Sequence, residues 1–193
     1  MKRVLMVCGS PRQPSSTNAV AEWVREGAVA AGAKVQAINT ARLQYKSNGC
    51  TACMGCQRAK EFVCVIADDA APLLASIPEY DVLVFVTPLY FFGPSAQLKI
   101  FWDRMYSLFK YDAATGTIIH RLRHMTFGLV ATGGGAGFAP LEDTVKAFAD
   151  FCGCRWEKLV VPYVEYQKGV QGNRELQQKA VSFGRQLVAA QQP

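Results

Sequence analysis

Apolar residues recur along the chain in two alternating patterns, short unbroken runs and longer stretches at helical spacing. Val4-Leu5-Met6-Val7-Cys8 is a short apolar run stopped by Gly9, the pattern of a strand buried on both faces. From about Ser16 to Ala31, Val20, Val24, Ala28 and Ala31 share one helical face, and Gly32 supplies a stop. Lys34 to Asn39 alternates Val35 and Ala37 with polar neighbours and predicts a strand at a sheet edge. Residues 47–64 show no period. Asp68-Asp69 then opens a predicted short helix to about Ile77, with acid at the positive end of its dipole. Val82 to Val86 is the strongest strand signal and ends at Thr87-Pro88. The stretch from Ala96 to Phe109 predicts a helix that is apolar over more than one face, through Leu98, Ile100, Phe101, Trp102, Met105 and Leu108. Lys110 to Arg123 predicts an extended loop. Strands over Met125–Ala131 and Lys158–Val161 flank a helix over Pro140–Phe151, and a last helix carries Leu176, Ala180, Phe183 and Leu187 on one face.

Strands therefore alternate with helices about five times. The pattern predicts an α/β protein with a doubly wound, five-stranded parallel sheet, helices on both faces and right-handed crossovers. The 193 residues suffice for a single domain over 1–193, with a cysteine-rich insertion at about 47–66. Ligands of such sheets bind beyond the carboxyl ends of the strands, where strand order reverses. The loops after the first, third and fourth strands are therefore the ones to inspect.

Composition narrows the function. Half of the residues are apolar and 19% are charged, which suits a packed core rather than a disordered chain. No apolar run reaches the roughly 18 residues that span a membrane. Met1-Lys2-Arg3 before Val4 to Cys8 mimics a signal peptide only until Gly9-Ser10-Pro11-Arg12, so the expected location is the cytoplasm. The net charge of +6 comes without a dense basic run, which argues against nucleic acid as a partner.

Three loops carry candidate chemistry. Gly9 to Asn18 joins a buried strand to a helix start, where backbone N–H groups, hydroxyls and the Arg12 guanidinium suit a phosphate. It has neither a P-loop nor a three-glycine dinucleotide pattern, and an ordinary serine-rich helix cap is the alternative. Thr87 to Ser95 holds three adjacent aromatics between two prolines, offering either a stacking surface for a flat ring or a hydrophobic plug. Thr132 to Gly137 is glycine-rich, fitting either close approach to a ligand or a flexible turn.

Gly9-Ser10-Pro11-Arg12 with Ser16-Thr17-Asn18, Pro88-Leu89-Tyr90-Phe91, and Ala96-Gln97-Leu98-Lys99 with Phe101 and Asp103-Arg104 together resemble the NADPH-dependent FMN reductase family of the flavodoxin-like superfamily. The resemblance runs in order to about Phe151. It implies a flavodoxin-like sheet and an FMN whose phosphate is held by Ser10, Arg12, Ser16, Thr17 and Asn18. It implies that Pro88, Leu89, Tyr90 and Phe91 line the isoalloxazine ring, with Thr132, Gly133, Gly134 and Gly135 on its other edge. Asp103 and Arg104 look like a structural pair of that family.

Of seven cysteines, Cys50, Cys53, Cys56 and Cys64 are clustered, as C-x2-C-x2-C-x7-C. Four thiolates in one small volume suit an iron–sulfur cubane or a zinc ion, and metal-free structural thiols are the third reading. The spacing is similar to the compact motif of iron–sulfur flavoproteins, a branch of the same superfamily, which implies a [4Fe–4S] cluster. Cys8 reads as core, Cys152-Gly153-Cys154 as a helix end, and His120 and His124 as surface residues.

These readings converge on an FMN-dependent oxidoreductase in which the flavin, not a protein acid or base, carries the chemistry. NAD(P)H or ferredoxin would feed it, and a small molecule would accept the electrons. A cluster-free NAD(P)H-dependent FMN or quinone reductase and a flavodoxin-like carrier are the alternatives. The wide apolar helix predicts a homodimer or homotetramer, with Trp102 and Met105 nearest the partner and the flavin close to the subunit boundary.

Overall fold

The computed structural model describes residues 1–189. Along the chain run β1 (Arg3–Cys8), α1 (Ser16–Ala30), β2 (Lys34–Asn39), α2 (Gly55–Arg58), α3 (Ala70–Ser76), β3 (Val82–Pro88) and α4 (Ala96–Asp103). There follow β4 (Phe109–Asp112), β5 (Thr117–His120), β6 (Thr126–Thr132), α5 (Ala139–Cys152), β7 (Arg155–Val161) and α6 (Arg174–Val188). Five parallel strands form one sheet in the order β2-β1-β3-β6-β7, with helices on both sides. This is the doubly wound, flavodoxin-like arrangement expected from the alternation, and its order reverses between β1 and β3.

β3 and β6 are buried along their whole length, as central strands covered on both faces must be, whereas β2 lies at the edge and is half exposed. The alternating faces of the strands separate two cores. Val4, Met6, Val82, Val84 and Val86 pack under α1 and α6, while Leu5, Val7, Leu83, Phe85, Phe127 and Leu129 pack under α3, α4 and α5.

Three expectations need correction. The stretch from Ala96 is α-helical only to Asp103 and continues as 3₁₀ turns through Leu108. Trp102 and Met105 are not at the surface: they are 8% and 1% exposed. The surplus apolar surface of α4 is covered by the chain itself, with Trp102 stacked on Phe85 at 4.3 Å and tilted against Phe148 at 5.7 Å. The segment taken as an open loop, 110–123, contains the antiparallel β4–β5 hairpin, closed by a turn in which Asp112 accepts from the Ala114 N–H and the Thr115 hydroxyl.

Candidate functional site

The loop after β1 is organised by Ser15, which sequence reasoning passed over. Its extended backbone (φ −143°) makes it the N-cap of α1; its hydroxyl accepts from the Asn18 N–H and from the Ser10 hydroxyl at 2.9 Å. Thr17 is buried and hydrogen-bonds Thr132 at 2.7 Å, which ties the start of α1 to the end of β6. The loop after β3 is anchored on the loop after β1: the Ser95 hydroxyl, N-cap of α4, donates to the Gly9 carbonyl at 2.7 Å.

These ties leave a cleft of about 210 Å3 at the carboxyl ends of β1, β3 and β6. Ser10, Arg12, Ser15, Ser16 and Thr17 line one side, Pro88, Leu89 and Tyr90 another, and Thr132, Gly133 and Gly134 a third. Val164, Glu165 and Tyr166, beyond β7, complete it. No motif marked that last segment; only its position after the fifth strand could have drawn attention to it. The Arg12 guanidinium lies 4.6 Å over the Tyr166 ring. Three residues expected at the site lie outside the cleft lining. Asn18 borders a groove between α1 and β2, its amide nitrogen donating to the Arg12 carbonyl. Phe91 is fully exposed, on a tight turn in which Tyr90 and Gly93 exchange backbone hydrogen bonds and Phe91 and Phe92 adopt φ of 45° and 67°. Gly135 lies past the last lining glycine.

The cleft suits a flat phosphorylated ligand. Serine and threonine hydroxyls gather at a helix N-terminus beside an arginine that has no carboxylate partner among the described residues. The opposite wall is proline, leucine and tyrosine.

A second pocket lies away from the first. Cys50, Cys53, Cys56 and Cys64 all line it, together with Arg104, Tyr106 and Ser107. No residue borders both pockets. The loop after β3 that lines the first leads into α4, and Arg104, Tyr106 and Ser107 of the second follow its last residue. The cysteine loop follows left-handed turns at Ala52 and Met54 (φ 53° and 56°), and Gln57 and Lys110 bind it to the hairpin: Gln57 donates to the Phe109 carbonyl at 2.9 Å, and Lys110 donates to the carbonyls of Cys56 and Ala59. Among the described residues, no three cysteine, histidine, aspartate or glutamate side chains converge closely enough to hold a metal ion as they stand.

Arg104 is the largest fully buried side chain of the fold. It does not pair with its neighbour Asp103, which instead accepts from Lys99 at 2.5 Å. Arg104 grips Asp68 through both terminal nitrogens, at 2.6 and 2.8 Å, and also donates to the Ile66 carbonyl and to the Cys64 sulfur at 3.4 Å. Burial alone would push the Asp68 carboxyl up, but the Arg104 hydrogen bonds and the Lys46 N–H outweigh it and hold it down at about 2. Asp68 thus serves both Arg104 and the start of α3, where it accepts from the Ala70 N–H at 3.2 Å, and Asp69 accepts from the Gln44 N–H. On Cys53, hydrogen bonds from the Gly55 N–H and from Thr51 lower the thiol, while on Cys56 burial raises it.

The remaining singled-out residues are structural. Cys8 is buried, and burial, then the charge of Glu22, push its thiol up to about 12. Cys152 and Cys154 are buried where α5 ends on Gly153, and Cys154 donates to the Leu122 carbonyl at 3.0 Å. His124 is exposed, with a ring nitrogen 3.0 Å from the Tyr80 carbonyl; His120 is half-buried against Phe109, and burial holds its pKa down.

A five-stranded sheet with this strand order and a cleft at its β1/β3 reversal define a flavodoxin-like protein. The chain belongs to the NADPH-dependent FMN reductase family, whose profile matches residues 2–155; the family consists of flavin-dependent oxidoreductases. It is similar to an iron–sulfur flavoprotein of Methanocaldococcus jannaschii, 33% identical over 132 residues, which cover 68% of this chain and 62% of that one. An iron–sulfur flavoprotein of Archaeoglobus fulgidus is 29% identical over 99 residues, 51% of this chain and 43% of that one. The matched regions thus span less than two thirds of either relative. Among solved structures, the fold resembles an NAD(P)H:quinone oxidoreductase from Methanothermobacter marburgensis (TM-score 0.73, 17% identity, 99% of both chains). It also resembles an FMN-dependent NADH-azoreductase from Bacillus anthracis in complex with FMN (TM-score 0.68, 15% identity, 96% of this chain and 97% of that one). Among the described residues no helix is long and apolar enough to cross a membrane.

Proposed function

We propose that this chain, folded as one domain, is an FMN-dependent oxidoreductase of the iron–sulfur flavoprotein type, passing electrons between NAD(P)H or ferredoxin and a small acceptor. The observation that carries the reading is the pair of separate pockets, one suited to FMN and one walled by four cysteines. In the first, Ser10, Ser15, Ser16 and Thr17 would hold the phosphate with Arg12 neutralising its charge. Pro88, Leu89 and Tyr90 would face the ring, and Gly133 and Gly134 would let the backbone close on its far edge. Bound there, FMN supplies two-electron and one-electron redox chemistry, so that no side chain needs an unusual pKa.

In the second pocket the donor set fits a cluster in kind. Four thiols surround one space without a competing carboxylate, and hydrogen-bond donors approach Cys53 and Cys64. The thiols would have to draw together on binding. The names of two related chains favour an iron–sulfur cluster over zinc, and four thiolates suit the [4Fe–4S] type. Such a cluster exchanges single electrons, which would let ferredoxin serve as donor.

Anaerobic purification with ample iron and sulfide tests both sites at once. Flavin released by heat is expected to run as FMN, with about four iron and four sulfide per chain. FAD or no flavin would reject the first assignment. Flavin without iron, reduced normally by NAD(P)H, would leave a cluster-free FMN reductase.

A further inference from the structure

Four buried side-chain polar atoms lack a hydrogen-bond partner among the described residues: Asn18 Oδ1, Tyr45 Oη, Arg104 Nε and Ser107 Oγ. A buried donor left unpaired costs about 1–3 kcal/mol, so such atoms call for an explanation. Two of the four, on Arg104 and Ser107, belong to residues that line the cysteine pocket, and both residues are at most 2% exposed. Arg104 already donates to the Cys64 sulfur. Two pocket-lining residues therefore carry, beside an N–H bonded to sulfur, two further buried donors that the protein does not satisfy.

We propose that Arg104 and Ser107 form a donor wall for the sulfur atoms of the cluster and thereby raise its reduction potential. This rests on the cluster reading of the four cysteines given above. Reduction adds one electron to the cluster and makes or breaks no bond. Hydrogen bonds to sulfur lower the energy of the added negative charge and favour the reduced form. The effect of Arg104 is local rather than a matter of net charge, because Asp68 neutralises the guanidinium at 2.6 Å. A purely structural Arg104–Asp68 pair would account for the ion pair but not for the unpaired hydroxyl of Ser107, three residues on and also lining the pocket.

The test uses the anaerobically reconstituted holoprotein. Arg104→Lys keeps the charge beside Asp68 but removes the fork that reaches Cys64; Ser107→Ala removes the free hydroxyl. Each is expected to bind FMN and iron as the wild type does and to show a lower cluster midpoint potential in a redox titration followed by electron paramagnetic resonance. Metal-free Ser107→Ala is expected to melt no lower than the metal-free wild type, since its unpaired hydroxyl is gone. In protein labelled with 15N-arginine and carrying Arg58→Ala, to remove the guanidinium that bonds the Cys53 carbonyl, the reduced cluster is expected to show a 15N hyperfine coupling. Should Arg104→Lys fail to fold, Ser107→Ala and the labelled protein decide. Unchanged potentials at full iron content, or no 15N coupling, would overturn the donor wall while leaving the cluster in place. A wild type that takes up no iron and sulfide rejects the cluster reading itself, and the donor wall with it.

Discussion

Arg12 has no carboxylate partner among the described residues; its guanidinium rests on the Tyr166 ring at the rim of the cleft. A phosphate there would gain a charge-assisted hydrogen bond from a guanidinium not already held in an ion pair. Arg12→Ala is expected to weaken FMN about ten- to a hundredfold, the range that about 1.5–3 kcal/mol allows, as read by flavin fluorescence titration. An unchanged affinity would remove Arg12 from the phosphate site. Asp68 makes a different kind of prediction. Its carboxyl is held at about 2, against an ordinary 3.8. The ionised form is thus favoured in the folded chain, and its stabilisation is present in full above pH 3.8 and lost as pH falls through about 2. The amount is about 2 kcal/mol. Asp68→Asn is expected to destabilise the chain at neutral pH, because Arg104 is left buried without its partner, and to flatten the loss of stability between pH 4 and 2. Denaturant titrations across that range read both effects.

At the level of elements, the closest packing is between α1 and α6. A Cβ on Gly27 would lie 2.0 Å from the Val181 carbonyl oxygen, and one on Gly184 would lie 2.0 Å from that of Val24. Neither obstacle is a flexible side chain, so the helices would have to separate. Gly184→Ala is expected to lower stability by about 1–3 kcal/mol despite alanine's better helix propensity, measured as a reduced denaturation midpoint. Such facts mark what the amino-acid order shows and hides. The buried strands were legible because Val82 to Val86 is an unbroken apolar run and Met125 to Ala131 is apolar but for Thr126 and Gly128, and only a sheet covered on both faces needs such stretches. The β4–β5 hairpin was hidden because Ala113-Ala114-Thr115-Gly116 lacks the usual two-residue turn signature. The exposure of Phe91 was hidden for a related reason: Phe91 and Phe92 take left-handed angles that such residues rarely adopt, which carries Phe91 out into solvent. Arg104 adjoins Asp103 in sequence, yet its partner Asp68 lies 36 positions away, and no local pattern reveals so distant a pairing. In the cleft, the strand-to-helix loops were visible as motifs, whereas Val164 to Tyr166 enter only through the path of the chain after β7.

For the whole molecule, the covered face of α4 moves the expected subunit contact elsewhere. Tyr111, Ile118 and Ile119 on the hairpin and Phe151 at the end of α5 are each at least 43% exposed, and Tyr111, Ile118 and Phe151 share one apolar hollow with Trp102 and Phe148. A homo-oligomer is still expected, now through the hairpin. Light scattering at micromolar concentration is expected to give at least a dimer, with Ile118→Asp shifting it toward monomer; a wild-type monomer would end this expectation. The separation of the two pockets yields another outcome. Cys53→Ala is expected to lose iron yet keep FMN at wild-type affinity, checked by metal analysis and flavin titration, since no lining residue is shared.

That separation bears on how such a chain fails and how it changes over generations. On the proposed reading, oxygen that strips the cysteine pocket damages a region that shares no lining residue with the flavin cleft, so the harm would stay local and the flavin site would outlive it. By the same token, a lineage living in air could discard its cysteines one after another without passing through a form that cannot bind flavin. A lineage in anoxic surroundings could keep both centres under independent selection.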